Sequence, residues 1–404
     1  MHGPQPAQPP RPFIPLLVAV TATGPLALNA IVPSLPAIAD AFGTTYGEAQ
    51  LLITGYLVAV AIGQLIYGPL SDRFGRRMPL LIGMALYFIG GAMCLMAGDV
   101  TTMVIGRVIQ AVGGCAGMVL TRAIVRDVWA REDGARVLAY VTVAMAAAPA
   151  IAPALGGILQ EQVGWQGGFA LLTVFGGACL VGTALSLRET NLRPTARLPG
   201  PVAMLVEFAD LTRVPGFAGW VMNGACTTAI FFAFLAGAPY LAMTVLGGTP
   251  TEYGLWFVGL SLTFMTGSFI TARFVNRLGI ERTAAIGNLI MMAGAVTMLG
   301  LALLAPPSGL ALFVPIMVVT LGNGLIMPTS VSAAVSLVSQ RAGAASGLMG
   351  FTQMSLAALA SIIVGLADNT TAVPMGIAMT GISAMAWLAF RSARRAARRA
   401  PPSV

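Results

Sequence analysis

The sequence predicts an all-α membrane protein with twelve transmembrane helices, arranged as two pseudo-symmetric six-helix halves, and three observations support this fold class. Of the 404 residues, 57% are hydrophobic and only 9% are charged, whereas a soluble domain carries about 25% charged residues. Apolar runs of ~20 residues, long enough to cross a ~30 Å bilayer core as a helix, recur along the chain. The arginines alternate between the loops that separate these runs, and the second half repeats features of the first.

The predicted spans form two groups of six, bounded by charged or turn-rich segments. The N-terminal half (14–187) holds spans 1 to 6 at 14–38, 48–70, 78–98, 101–125, 135–159 and 166–187. The C-terminal half (217–391) holds spans 7 to 12 at 217–240, 252–275, 283–304, 309–333, 343–367 and 372–391. A polar linker (188–216) joins the halves. A proline-rich tail (1–13), predicted to be disordered, precedes them, and a basic tail (392–404) follows.

The distribution of arginine predicts the orientation of the spans. In this topology every arginine except Arg107 lies at the loops and tails of one side, while the other side carries acids such as Asp99, Glu161 and Glu252. Because short cytoplasmic loops carry an excess of basic residues, both chain termini are predicted to be cytoplasmic. The net charge of +8 is therefore a consequence of topology, and no nucleic-acid partner is expected.

Histidine and cysteine usage argues against several kinds of site. The one histidine, His2, lies in the N-terminal tail, and the four cysteines are scattered through apolar runs. These residues favour neither a disulfide nor a metal site, and no group of nucleophiles or acids falls inside a span. The sequence therefore predicts that the protein is not an enzyme and has no metal or bound cofactor.

The two halves repeat a loop pattern. The loop after span 2 reads GPLSDRFGRRMPLLIG (68–83), and the loop after span 8 reads GSFITARFVNRLGIERTAAIG (267–287). Each contains a glycine, then Arg-Phe, a second glycine, basic residues and a new apolar run. An internal duplication with a linker between the copies is typical of alternating-access transporters, whose substrate site lies between the halves near the membrane midplane.

The loop after span 2 also resembles the loop 2–3 signature G-x-L-x-D-R-x-G-R-R of the major facilitator superfamily. In that family this loop latches the two halves together, so the resemblance implies a gating role. A basic loop that only sets topology is the alternative. The matching residues are Gly68, Asp72, Arg73, Gly75, Arg76 and Arg77.

Span 4 carries a charge well inside its apolar run. Arg107 lies about seven residues from the start of the span, where a charge costs at least a few kcal/mol and marks a functional site by default. Arg107 and Gln110 match the family's R-x-x-Q-G-x-G motif, with Ala111 in place of its first glycine. The alternative is that Arg107 extends to the membrane surface.

Span 5 reads AAAPAIAPALGG at 146–157. Prolines bend a helix and glycines let helices approach closely, so Pro149, Pro153, Gly156 and Gly157 are predicted to form a hinge. The segment resembles the motif of drug/proton antiporters, with Ala148 replacing a usual glycine. A kinked helix that serves packing alone is the alternative.

Together with Pro33 and Pro36 in span 1, these motifs most resemble the Bcr/CflA group over nearly the whole chain. The resemblance implies proton-driven export of small, often amphipathic compounds across the bacterial inner membrane. We predict that the protein is a monomer. Many members carry an aspartate where this chain has Asn29, which cannot titrate. Three possibilities stay open: an acid at a helix end (Asp40, Asp72 or Asp127) takes the proton, the substrate carries the coupling charge, or the protein is a facilitator.

Polar and aromatic residues in the apolar spans predict a substrate cavity. A cavity that holds Arg107 and no acid favours neutral or anionic compounds over cations. A narrow-specificity metabolite exporter or importer is the alternative function. The predicted cavity residues are Asn29, Tyr56, Gln64, Asn223, Thr227, Phe231, Tyr240, Asn323 and Gln353.

Overall fold

The computed structural model describes residues 11–192, 200–367 and 370–399. Within these ranges, twelve helices are long and apolar enough to cross a membrane, so the predicted number and order of the spans are confirmed. They are Ile14–Phe42, Tyr46–Phe74, Arg77–Leu95, Val100–Val128, Arg131–Val163, Trp165–Ser186, Phe217–Val245, Pro250–Leu278, Ile280–Leu304, Gly309–Leu337, Ser339–Gly365 and Val373–Arg399.

The helix ends repeat between the halves, as the internal duplication predicts. Thr45 begins span 2 with a capping box to Glu48, and Thr249 begins span 8 with the same arrangement to Glu252. In such a box a threonine and a glutamate satisfy backbone N–H groups that the first helical turn leaves unpaired. Gly75 and Gly279 end spans 2 and 8 at φ +84° and +79°, a conformation that favours glycine.

The α-helix of span 1 is interrupted near Pro33. An α-helix over Ile14–Ala30 contains Pro25, a 3₁₀ turn over Val32–Ser34 follows, and α-helix resumes over Leu35–Phe42. Proline lacks the N–H that would continue the helical ladder, which explains the interruption.

Helix pairing follows the duplication as well. Spans 1, 2 and 3 pack on spans 5, 4 and 6, and spans 7, 8 and 9 pack on spans 11, 10 and 12 in the same pattern. The principal contacts between the halves are those of span 5 with span 8 and of span 2 with span 11. Span 2 corresponds to span 8 in the duplication, and span 5 corresponds to span 11, so the two contacts are equivalent. Each half therefore contributes equivalent surfaces to the junction.

The two ends of the bundle differ in charge. The arginine-rich end carries loops 2–3, 4–5 and 8–9, and the opposite, arginine-poor end carries loops 1–2, 5–6 and 7–8. Hydrogen bonds join the halves towards the arginine-poor end: Tyr46 Oη donates to the Ala236 carbonyl at 2.9 Å, and Gln50 Nε2 donates to Ser361 Oγ at 3.1 Å. The structure therefore shows the bundle closed at its arginine-poor end.

The linker and the last span depart from the predicted boundaries. A helix over Pro201–Arg213 lies within the linker, and its Phe208 and Leu211 pack in an apolar cluster with Phe217. Span 12 continues past 391 to Arg399, in a segment of alanine and arginine, both good helix formers. The predicted disordered tail lies largely outside the described residues, because only residues 11–13 of it are described.

Candidate functional site

Arg107 lies in the interior of the N-terminal half and is fully buried. Its Nη1 donates to Gln110 Oε1 at 2.7 Å, and its Nε donates to the Leu52 carbonyl at 3.4 Å. The guanidinium carbon lies 4.2 Å from the centre of the Tyr56 ring, a cation–π contact. The side chain thus points into the helix bundle, which excludes the alternative that it extends to the membrane surface.

The charge of Arg107 is not neutralised within the part of the chain that the structure describes. Its contacts there are neutral groups, and its Nη2 is buried without a hydrogen-bond partner. Gln110 Nε2 and Asn29 Oδ1 are also buried and unpaired. A buried ion without a counter-ion costs several kcal/mol, so the N-terminal half contains an unsatisfied positive charge in this structure.

Asn29 lies at the membrane depth of Arg107. Span 1 runs antiparallel to span 4, and contacts of Val20 with Gly117 and of Gly24 with Gly114 set their register. Five residues beyond Gly24, this register places Asn29 opposite the turn that holds Arg107 and Gln110. Asn29 is 3% exposed, and its Nδ2 donates to the Pro25 carbonyl at 2.8 Å.

Loop 2–3 is organised around Arg76, which is 4% exposed. Its Nη1 pairs with Asp72 at 2.6 Å and its Nε with Asp127 at 2.7 Å. Burial alone would lower the pKa of Arg76, but these two carboxylates raise it above its ordinary value. The ion pairs join the arginine-rich ends of spans 2, 3 and 4. Arg73 is exposed, and the space beside Gly68 is open.

A residue outside the predicted set, Glu189, completes this loop. It follows span 6, and its carboxylate accepts hydrogen bonds from the backbone N–H groups of Arg76 at 2.8 Å and Arg77 at 3.1 Å. Burial raises the pKa of Glu189, but hydrogen bonds from these and two further N–H groups outweigh it and leave the pKa below its ordinary value. Glu189 is therefore an ionised cap on the start of span 3.

The stabilisation by Glu189 is expected to be lost in acid. Because the pKa is lower in the folded than in the unfolded state, the contribution is complete above the unfolded value of about 4.3 and disappears as pH falls through the folded value. The thermal midpoint of purified protein should exceed that of Glu189→Gln by a constant amount from about pH 7 to 5, with the gap closing below that range. Glu207→Gln, in the same linker, is the control. A gap that widens on acidification would contradict the assignment.

Two of the predicted hinge residues of span 5, Gly156 and Gly157, lie against the backbones of other helices. A Cβ at Gly156 would overlap the Ala30 carbonyl of span 1, and a Cβ at Gly157 would overlap the Pro250 carbonyl of span 8. Gly254 of span 8 also lies so close to the Pro153 carbonyl that a Cβ there would overlap it. Pro149 and Pro153 both lie inside the continuous helix Arg131–Val163. Span 5 thus touches its own half through Gly156 and the other half through Gly157.

Asn223, one of the predicted cavity residues, has a side chain whose hydrogen bonds all lie within the C-terminal half. It is fully buried within the C-terminal half, where its Nδ2 donates to Asn288 Oδ1 at 3.0 Å and to the Ala386 carbonyl at 2.9 Å. Ser330 Oγ donates to its Oδ1 at 2.9 Å. The structure therefore gives Asn223 a packing role among spans 7, 9, 10 and 12, because every polar atom of its amide is satisfied inside one half.

The other candidates in the C-terminal half contact residues of the same half. Asn323 Nδ2 donates to the Thr227 carbonyl at 3.1 Å, and Asn323 Oδ1 is buried and unpaired. Gln353 is 8% exposed and lies near Gly224. Phe231 is half-buried and packs against Phe257 with ring centres 6.3 Å apart.

Gln64 and Tyr240 lie at the junction itself. The Gln64 side chain occupies the space beside Gly350 of span 11, where a Cβ would overlap its amide oxygen. Tyr240 begins the π-helical end of span 7, and its ring lies 5.1 Å from that of Tyr46 in span 2. The structure thus distributes the predicted residues over a buried N-terminal group, a C-terminal group and the junction between them.

Twelve spans in two duplicated halves, with a linker between the halves and a charge buried in one of them, define a membrane transporter. The chain matches the Major Facilitator Superfamily over residues 17–362. It therefore belongs to that superfamily, and its bacterial relatives and apolar helices make it a multi-pass inner membrane protein.

Relatives in other bacteria agree with this assignment. The chain is 32% identical to the uncharacterised MFS-type transporter YdgK of Bacillus subtilis, covering 93% of each chain. It is 28% identical to a chloramphenicol resistance protein of Pseudomonas aeruginosa, covering 87% of this chain and 83% of the relative. A bicyclomycin resistance protein homolog of Haemophilus influenzae is 24% identical over 94% of this chain and 95% of its own.

Two solved structures share the fold at low sequence identity. The peptide transporter POT in complex with alafosfalin superposes with a TM-score of 0.77 at 15% identity, covering 95% of each chain. A bacterial homolog of the human lysosomal transporter Spinster, in an inward-facing and occupied conformation, gives 0.74 at 14% identity, covering 96% of this chain and 98% of that one.

Proposed function

We propose that the protein exports small neutral or anionic, amphipathic compounds from the cytoplasm by alternating access, with proton antiport as the driving reaction. The observation that carries the substrate class is the buried Arg107, whose contacts are neutral groups in the described part of the chain. A cationic substrate would add to this charge, whereas an acceptor oxygen or an anion would offset it. The names of the chloramphenicol and bicyclomycin resistance relatives support drug export.

The orientation follows from the positive-inside rule, which places the arginine-rich end and both termini in the cytoplasm. In that orientation the closed arginine-poor end faces the periplasm. The inter-half bonds of Tyr46 and Gln50 then belong to the periplasmic gate. Export requires this gate to open while loop 2–3 brings the halves together at the cytoplasmic end.

A charge-selectivity assay tests the substrate class. Cells that express the protein should gain resistance to chloramphenicol, a neutral probe, and little to tetraphenylphosphonium, a permanent cation. An empty vector and Arg107→Ala serve as controls, and Arg107→Ala should remove the difference between the two probes. Resistance to the cation with none to neutral drugs would reject the proposal.

Asn29 favours a second candidate, a transporter without proton coupling. An amide cannot bind and release a proton at physiological pH, and the acids of the described chain lie at helix ends and loops. Proton antiport therefore depends on an acid such as Asp40, Asp72 or Asp127. The second candidate is a facilitator, or a narrow-specificity carrier whose substrate supplies the charge.

Asn29→Asp is expected to increase the dependence of transport on the pH gradient, because it adds a titratable group at the depth of Arg107. The measurement is chloramphenicol uptake into everted vesicles with and without an imposed pH gradient. Asn29→Ala is the matched control, since it removes the amide without adding an acid. Wild-type uptake that ignores the gradient would exclude proton antiport and leave the facilitator. An unaltered gradient response in Asn29→Asp would exclude position 29 as a coupling site.

A further inference from the structure

Loop 2–3 is fastened to the start of the linker by one carboxylate. Glu189 accepts N–H bonds from Arg76 and Arg77 of the loop, and from Thr190 at 2.9 Å and Asn191 at 2.8 Å of the linker itself. A carboxylate that receives four backbone N–H groups is held in one orientation, since these bonds are charge-assisted. The loop and the linker therefore share a single anchoring group.

Loop 2–3 also donates hydrogen bonds to the end of span 6. Arg77 Nε donates to the Leu187 carbonyl at 2.7 Å, and its Nη2 donates to the Ala184 carbonyl at 3.1 Å. An acid from the linker thus caps the N-terminal end of span 3, while an arginine from loop 2–3 caps the C-terminal end of span 6. Each charge matches the dipole of the helix end that it meets. Asn191 Nδ2 also donates to the Asp72 carbonyl at 3.1 Å.

Gly75 makes room for this carboxylate. A Cβ at position 75 would overlap the carboxyl group of Glu189, and the backbone there has φ +84°. The second glycine of the loop motif therefore serves two purposes, a left-handed turn and a seat for Glu189. Neither purpose requires contact with the C-terminal half, so the loop takes its shape before the halves meet.

The linker also reaches the C-terminal half. Beyond the segment at 193–199, the linker helix Pro201–Arg213 packs against spans 7 and 11. Its Leu211 is fully buried in the apolar cluster that includes Phe217 and Trp220. One end of the linker is thus attached to the gating loop of the first half, and the other end to helices of the second half.

We propose that Glu189 is a positioning residue for transport, which holds loop 2–3 in its latching shape and ties it to the linker. This inference rests on the proposed alternating access, in which loop 2–3 closes the cytoplasmic end. It predicts that loss of the carboxylate disfavours closure at the arginine-rich end.

Hydrogen exchange of full-length protein in nanodiscs tests the anchor. In Glu189→Gln, exchange of the backbone amides over residues 75–78 is expected to be at least about tenfold faster, because opening of the anchor no longer breaks charge-assisted bonds. Glu189→Asp keeps the charge and should restore part of the protection. Glu207→Gln in the linker helix is the matched control and should exchange as the wild type does in this segment.

Spin-label distances test the effect on the gate and separate a positioning role from a structural one. Labels at Met78→Cys and Leu278→Cys report the separation of loops 2–3 and 8–9 without any substrate. Glu189→Gln should lower the share of short distances, and Glu189→Asp should recover it. Unchanged exchange at 75–78, or an unchanged distance distribution, would overturn the inference. Failure of wild-type vesicles to take up chloramphenicol would instead count against the proposed function. It would not change the results expected for hydrogen exchange at 75–78 or for the spin-label distances.

Discussion

Replacing Arg107 with leucine is expected to lower the initial rate of chloramphenicol transport by roughly a hundredfold, while the protein stays folded. A hydrogen bond to a charged group contributes about 1.5–3 kcal/mol, which corresponds to a factor between about ten and a hundred and fifty. In the described part of the chain Arg107 contacts only neutral groups, and its Nη2 has no hydrogen-bond partner. Its charge is therefore available to an acceptor group on a bound compound.

The stability of the same variant distinguishes function from packing. Leucine removes a buried charge but leaves Gln110 Oε1 without its hydrogen-bond donor, so the two effects oppose each other and the thermal midpoint should change little. Arg107→Lys keeps the charge but loses the planar fork over Tyr56, and intermediate transport is expected. Arg126→Gln, an exposed position on the same helix, should transport normally. Loss of folding in Arg107→Leu would show that the guanidinium serves packing, and full activity in that variant would show that transport does not need it.

Arg107 could be recognised from sequence because its signal is local. A lone charge in an apolar run is costly wherever its neighbours lie, so its position in span 4 already indicated a special role. The number of spans could be predicted for a similar reason, since hydropathy and arginine placement are both read along the chain. The capping boxes at Thr45 and Thr249 are also local patterns, and they mark where spans 2 and 8 begin.

Asn223 and Glu189 could not be assigned from sequence because their roles depend on distant partners. An amide in an apolar span can face a cavity or another helix, and only the fold shows that Asn288 and Ser330 satisfy Asn223 within one half. Glu189 looks like any loop acid until spans 3 and 6 are placed side by side. The available signal was the acid directly after span 6, which acquires meaning only once its nearness to Arg76 is known.

Span 5 has features that could be predicted from local sequence and features that depend on distant partners. The glycine pair at 156–157 indicated close packing, but the sequence could not show that the two residues face different halves. Gly156 meets the Ala30 carbonyl of its own half, and Gly157 meets the Pro250 carbonyl of the other. Adjacent positions that differ by about 100° around a helix can serve an internal contact and a moving one at the same time.

Alanine at these two glycines is therefore expected to give opposite results. Overpacking against backbone costs about 1–3 kcal/mol. In Gly157→Ala this cost falls on the closed gate at the arginine-poor end alone, so the balance between closed and open gates should shift by about tenfold or more towards open. In Gly156→Ala the cost falls on the fold of the N-terminal half, so the thermal midpoint should drop with little shift in that balance.

The labelling rate of a cysteine placed at the gate measures how far each glycine variant shifts the balance between closed and open gates. Ser361 is fully buried at the junction, where it meets Gln50 and Thr54, and Ser361→Cys is a small change. Adding Gly157→Ala should speed its labelling by an impermeant maleimide about tenfold, whereas adding Gly156→Ala should leave the labelling rate near that of Ser361→Cys alone. The reverse pattern would mean that Gly157 stabilises the fold and that span 5 is a packing helix. The expected pattern would identify the span 5 contact with span 8 as the surface that separates when the gate opens.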